Sequence, residues 1–221
     1  MTFNEVMGKL EGMGSEQVRK INAKNGAEGN QFGVKSGDLR TLAKEIKLNP
    51  ELAAELWKTG NLDAMKLATL LMRPKQLTAD EMEHLVESTP FTYVADWLNT
   101  NVLKLHPDKE MLRVKWMQSD QPMLARAAWS LTTERIIKDS AGLDLPALLD
   151  RIEAELVDAP EATQWTMNFA LAEIGIEHAE HRARAIHIGE RLGVYRDFPV
   201  SKGCTSPFAP IWISAMAGRQ S

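Results

Sequence analysis

Leu39-Arg40-Thr41-Leu42-Ala43-Lys44-Glu45-Ile46-Lys47-Leu48-Asn49-Pro50-Glu51-Leu52-Ala53-Ala54-Glu55-Leu56-Trp57 decides the fold. Leu39, Leu42, Ala43 and Ile46 recur at i, i+3, i+4 and i+7, which places them on one face of a helix. Asn49-Pro50 then supplies a capping side chain followed by a proline that suits a first helical turn. Leu52, Leu56 and Trp57 form a second stripe directly after it. So short a connection packs the two helices antiparallel. Working outward, Met65, Ala68, Thr69 and Met72 repeat the pattern. Thr78-Ala79-Asp80-Glu81 reads as a capping box, and Thr89-Pro90 and Asp144-Leu145-Pro146 mark two more helix starts. Alternation of the kind strands require is nearly absent. The spacing predicts helices over 2–12, 15–26, 37–48, 50–58, 61–72, 79–87, 90–104, 107–118, 121–137, 145–157, 160–175, 179–192 and 207–217.

Many short helices with short connections point to stacked helix pairs, an all-α solenoid of the HEAT-like or armadillo type, although no residue motif returns at a strict period. No linker divides the chain, so residues 1–221 are expected to form one domain. Two loops stand out, Gly26–Gly37 and Tyr195–Pro207. Hydrophobic residues at 44% and charged residues at 25% exclude a disordered chain. A net charge of −4 excludes a protein that is basic all over, so nucleic acid could be held only by local patches. A single cysteine, Cys204, allows no intrachain disulfide. With no leader-like start and no run of apolar residues long enough for a membrane span, the cytoplasm is the expected location.

A family resemblance rests on five segments in order: Phe32-Gly33-Val34-Lys35-Ser36-Gly37-Asp38-Leu39-Arg40, Leu52-Ala53 with Leu56-Trp57, Val94-Ala95-Asp96-Trp97, Ala125-Arg126-Ala127-Ala128-Trp129, and Met167-Asn168-Phe169-Ala170-Leu171 with Ile174-Gly175. Together, from about residue 32 to about residue 180, the chain resembles the DNA alkylation repair family of AlkD-type DNA glycosylases. The resemblance implies a curved stack of HEAT-like helix pairs whose concave groove holds double-stranded DNA. It implies excision of cationic N3- and N7-alkylpurines without base flipping, with neither metal nor cofactor, by a protein acting as a monomer. Asp96 matches the carboxylate that stabilises positive charge growing on the deoxyribose as the glycosidic bond breaks, an electrostatic role. Arg126 matches an arginine that meets the DNA backbone, for which a planar guanidinium fork is well suited.

Read from the residues alone, Asp96 lies in a mostly apolar helix and must face solvent, a partner or a groove. Arg126 could equally ion-pair with a neighbouring repeat, Asp96 included. Two positions depart from the family pattern. Tryptophans that touch the damaged nucleotide are replaced by Thr92, one turn before Asp96, and by Phe169. Tyr93, Trp97 and Trp165 are near in sequence but are not at those positions. Lys35, Arg40 and Lys44 are candidate phosphate contacts, with Lys47, Arg73, Lys75, Arg113 and Lys115 as further cations, while residues 150–190 are acidic. His178 and His181 share a helical face without completing a metal pattern. Cys204 is expected to be buried or half-buried. Trp57, Trp116 and Trp129 are expected in the core, Trp212 against the last repeat, and Asn168 hydrogen-bonded to neighbouring backbone. The alternatives to excision are a non-catalytic module for unusual or branched DNA, and a scaffold for protein partners.

Overall fold

Thr2 shows how locally the helices are written: its hydroxyl accepts from the Glu5 amide, and the Glu5 carboxylate accepts from the Thr2 amide at 2.7 Å. The computed structural model describes residues 1–27 and 29–218. Among the described residues there are thirteen α-helices, two 3-10 turns and no strand, and each of the thirteen predicted segments coincides with a helix. Two compact units are present, Met1–Lys109 and Glu110–Ser221. None of the described helices is long and apolar enough to cross a membrane.

The first unit holds α1 (Phe3–Gly12), α2 (Glu16–Lys24), α3 (Ser36–Ile46), α4 (Pro50–Lys58), α5 (Leu62–Leu71), α6 (Ala79–Glu87) and α7 (Thr92–Asn101). Its centre is α5, which is buried almost all round and packs against α1, α3, α4 and α7. The expected caps form: Asn49 accepts from the Leu52 amide, and Thr78 and Glu81 close a reciprocal box. One expectation is corrected. Thr89-Pro90 does not start a helix, because the Thr89 hydroxyl is spent on the Leu85 carbonyl at 2.8 Å at the end of α6, and α7 begins at Thr92 with Phe91 as its cap residue. α3 also stops short of its predicted end, since Lys47 takes a positive φ of 65°.

The segment that launches α3 is held from a distance. Asp63, fully buried at the start of α5, accepts from three successive amides: Phe32 (2.7 Å) and Gly33 (2.8 Å) at Oδ2, and Val34 (3.1 Å) at Oδ1. Gly33 is obligatory there. Its φ is +78°, and a Cβ would stand 2.5 Å from the Ser15 carbonyl oxygen. Asn61 caps α5 by accepting from Asp63 and Ala64, and its amide donates to Asn30. The second half of the Gly26–Gly37 loop is therefore tied to the beginning of α5.

The second unit holds α8 (Lys109–Trp116), α9 (Pro122–Lys138), α10 (Leu145–Glu155), α11 (Glu161–Glu177), α12 (Ala179–Leu192) and α13 (Ala209–Ala217). The long helices α9 and α11 pack along each other, and α11 also meets α10, α12 and α13. Trp116 and Trp129 are buried here as expected, as is Trp57 in the first unit. Asn168 donates to the Pro207 carbonyl at 2.9 Å, the backbone bond its apolar setting predicted. Part of the acidic stretch is ion-paired: Arg184 meets Asp150 and Glu153, Arg191 meets Glu153, and Arg151 meets Glu155. Cys204 departs from expectation and is exposed, because its loop runs over the surface, where its amide donates to the Ser201 carbonyl in a turn.

Candidate nucleic-acid interface

Helix α7 divides its residues cleanly. Val94 and Leu98 are buried, while Tyr93, Asp96, Trp97 and Thr100 fall on the opposite side at helical spacing. Tyr93 is 37% exposed, Asp96 is exposed and Trp97 is half-buried. The side chain of Asn101 donates to the Trp97 carbonyl (2.9 Å) and to the Thr69 hydroxyl of α5 (3.3 Å), which fixes this helix against its neighbour.

Two cations lie over the two outward rings. The Arg40 guanidinium of α3 sits 4.8 Å from the centre of the Trp97 indole, and the Lys66 ammonium of α5 sits 5.9 Å from the centre of the Tyr93 ring. Such pairs contribute about 0.5–1 kcal/mol at exposed sites and about 2 kcal/mol when desolvated. Phe91 backs Tyr93, with ring centres 4.8 Å apart. Asp96, three residues after Tyr93 and next to Trp97, thus stands on a face bearing two cation-capped aromatic rings.

Lys66 is unusual. The residue is only 6% exposed, and burial pushes its pKa below the usual lysine range, opposed by the nearby Asp63 carboxylate. The side chain is buried, with its ammonium against the Tyr93 ring.

Of the other predicted residues in this unit, Lys35 is the cap residue before α3, and Lys44 follows Arg40 by one turn. Both are exposed. Thr92 opens α7 and is half-buried.

In the second unit, Arg126 on α9 is 3% exposed and donates to the Ala162 carbonyl at 2.8 Å. Near it, the Tyr195 hydroxyl is pushed up to about 12 by burial and by Glu161, with Arg126 pulling the other way. Tyr195 has a left-handed φ of 63° and joins Trp165 and Phe198 in a cluster with centres 5.3–5.9 Å apart. Phe169 is half-buried and meets Trp212 edge to face at 4.5 Å. Arg113, one of the further candidate cations, is 9% exposed and bonded to Glu110, which holds that carboxyl below its usual range. His178 and His181 have ring centres 6.5 Å apart, and among the described residues no group of three or more metal-ligating side chains comes together.

The structure therefore brings Arg40, Tyr93 and Asp96 together on one face and adds Trp97 and Lys66, which sequence reasoning did not place there. Lys66 had a readable signal: apart from Asp63 it is the only charged residue in Leu62–Leu71. Trp97 follows Tyr93 by four residues, the spacing that puts two side chains side by side on a helix.

Residues 6–192 match the model of a family described as DNA alkylation repair enzyme. The chain is 25% identical to the uncharacterized protein Lin0241 of Listeria innocua over 226 residues, covering 97% of this chain and 95% of that protein. It is 22% identical to the uncharacterized protein Lmo0209 of Listeria monocytogenes over 231 residues, covering 99% of each. A solved structure from a new family of proteins related to the HEAT-like repeat DNA glycosylases, with affinity for branched DNA structures, superposes with a TM-score of 0.82 and 30% identity. That match covers 100% of this chain and 95% of the other. The fold is thus the HEAT-like helical class that the sequence led us to expect.

Proposed function

The chain belongs to the DNA alkylation repair enzyme family, and on that premise we propose that it binds DNA and excises cationic N3- and N7-alkylpurines, with Asp96 as the catalytic carboxylate. A purine alkylated at N7 or N3 already carries positive charge and leaves as a neutral base. The developing charge then moves to the deoxyribose, where a fixed carboxylate stabilises it before water adds at C1′. Tyr93 and Trp97 supply apolar ring surface to the nucleotide. Arg40, Lys35 and Lys44 supply the phosphate contacts, and Arg126, Thr92 and Phe169 are the remaining residues carried over from the family pattern. The observation that carries this reading is the position of Asp96, exposed on the one face of α7 that also presents two aromatic rings under cations. The test is incubation with duplex DNA containing 7-methylguanine, scoring abasic sites. Asp96→Asn is expected to lower excision about 10²-fold, in line with the loss of one electrostatic contact. Excision no faster than spontaneous loss, or equal excision by the variant, would sink the proposal.

A second reading has support of its own. Phe169 spends an aromatic contact on Trp212, Thr92 has no ring, and the structural neighbour at 30% identity has affinity for branched DNA. On this reading the same face binds branched DNA without cleaving a glycosidic bond. A four-way junction bound tighter than a duplex of equal length, with no excision, favours it. Equal weak binding of both counts against it.

A further inference from the structure

Lys47 ends α3 in a backbone conformation that suits glycine, with φ at 65° and ψ at −175°. Any side chain held there costs free energy, because its Cβ crowds the backbone. The conformation is imposed by the connection. Only Lys47 and Leu48 separate the last residue of α3 from Asn49, which caps α4 and donates its own amide to the Leu71 carbonyl at 3.0 Å. Glycine would meet that requirement without strain. Tyr195, the other non-glycine residue with a positive φ among the described residues, has packing to set against its strain, since its ring meets Trp165 and Phe198. Lys47 is instead exposed, and among the described residues its side chain makes no hydrogen bond, ion pair or ring contact. Attraction to the carbonyl end of α3 does not call for it either, because Lys44 already occupies the last turn.

We propose that Lys47 is a phosphate contact for DNA, kept at the end of α3 at the expense of stability. The proposal rests on the reading that α3 and α7 present a face to DNA, and it extends that face past the last turn of α3. The Lys47 amide still donates to the Ala43 carbonyl at 2.9 Å, so the residue stands about one turn beyond Lys44 and two beyond Arg40. All three are exposed. At 1.5 Å per residue, Arg40 to Lys47 spans roughly 10 Å along α3. That length matches about three phosphates of one strand along a duplex, at roughly 3.4 Å each. The nearest acid in sequence, Glu45, is paired with Lys9 of α1 at 2.9 Å, which leaves the charge of Lys47 for an outside anion. An ammonium on a flexible stem meets phosphate as a point charge and needs no fixed approach. A residue just outside the helix, with its side chain unpacked, can offer that.

The experiment uses the full chain and reads two quantities, Tm by thermal melting and the slope of log affinity against log salt by fluorescence anisotropy. The probes are a labelled duplex and a labelled four-way junction. Lys47→Gly is expected to raise Tm by roughly 2–6 °C, the relief of strain less the entropy of glycine. The same variant is expected to bind DNA more weakly, with a slope shallower by about 0.9 on the duplex. Lys47→Met should reproduce the loss of slope with Tm unchanged, which separates charge from backbone, and Lys47→Arg should keep both. Lys44→Met serves as the reference contact. An unchanged slope for Lys47→Gly, or a Tm that does not rise, overturns the proposal. If Lys44→Met still lowers the slope in that case, the DNA-face reading stands. No DNA binding at low salt, or no loss of slope in either variant, overturns both.

Discussion

Asp63→Asn should weaken the molecule well beyond what one amide-for-carboxylate exchange suggests. Oδ2 of Asp63 accepts from Phe32 and Gly33, and Oδ1 accepts from Val34. An asparagine keeps one oxygen. Its amide nitrogen must then face either the Phe32 and Gly33 donors or the Val34 donor, so at least one buried N–H loses its acceptor. Leaving a buried donor unsatisfied costs about 1–3 kcal/mol, so one or two orphaned donors with donor facing donor come to about 2–5 kcal/mol. For a chain of this size about 1 kcal/mol moves Tm by roughly 2–4 °C, which puts the expected fall at roughly 4–20 °C. Urea titration gives the free energy and a thermal melt gives Tm. Asp38→Asn, on an exposed position of α3, is the matched control and should stay within about 0.5 kcal/mol. The loop held by Asp63 also launches α3, so DNA affinity should fall as Arg40 loses its fixed position over Trp97. A destabilisation below about 1 kcal/mol would refute the reasoning, because it would mean that the three amides find other acceptors.

Trp97→Ala should weaken binding of the preferred DNA by about 5–150-fold, the equivalent of about 1–3 kcal/mol of lost ring contact, with little loss of stability from a half-buried site. An unchanged Kd by anisotropy would remove Trp97 from the interface. Glu173, half-buried on α11, has its carboxyl held above the usual range by burial and by the neighbouring charge of Glu177. A carboxyl whose folded pKa is raised contributes its full stability only below its unfolded pKa, and that contribution is lost as pH rises through the folded pKa. Glu173→Gln should therefore raise Tm at pH 7.5 by about 1–3 °C, with the gain closing toward pH 4. Melts at the two pH values test this, and an equal gain at both would show that charge is not the cause.

Helix positions were legible because they are written locally. A stripe at 3.6-residue spacing, a capping box such as Thr78 to Glu81, or a proline after Asn49 needs no knowledge of the partner. The failures are places where the partner decides. Thr89 could cap the following helix or close the preceding one, and it does the latter through the Leu85 carbonyl. Asp63 binds amides about thirty residues away, a relation that no local pattern encodes. Cys204 looked like a buried small thiol by residue type, but its loop runs over the surface. Arg113 was read among the cations available to DNA, yet its guanidinium is engaged with Glu110. The candidate face itself was half legible: Asp96 and Tyr93 came from one helix, but Arg40 and Lys66 join them only through the packing of α3, α5 and α7.

That packing makes α5 the element on which the functional face depends. Asp63 and Lys66 are three residues apart on it and so lie on neighbouring positions of one helical surface. Asp63 fixes the loop from which α3 carries Arg40 to Trp97, while Lys66 reaches Tyr93 directly. Both cation–π pairs on α7 are thereby set by one buried helix, and they straddle the position of Asp96 in sequence. The overall charge of −4 is then a poor guide to DNA binding. Several acidic residues between 150 and 190 are engaged with Arg151, Arg184 and Arg191, whereas Arg40, Lys35 and Lys44 stand exposed on or just before α3 in the unit that carries Asp96. Counterion release depends on cations that meet phosphate rather than on the sum over the chain. Charge removed at Lys35 or Lys44 should therefore reduce the salt dependence of DNA binding, while charge removed at Arg184 should not.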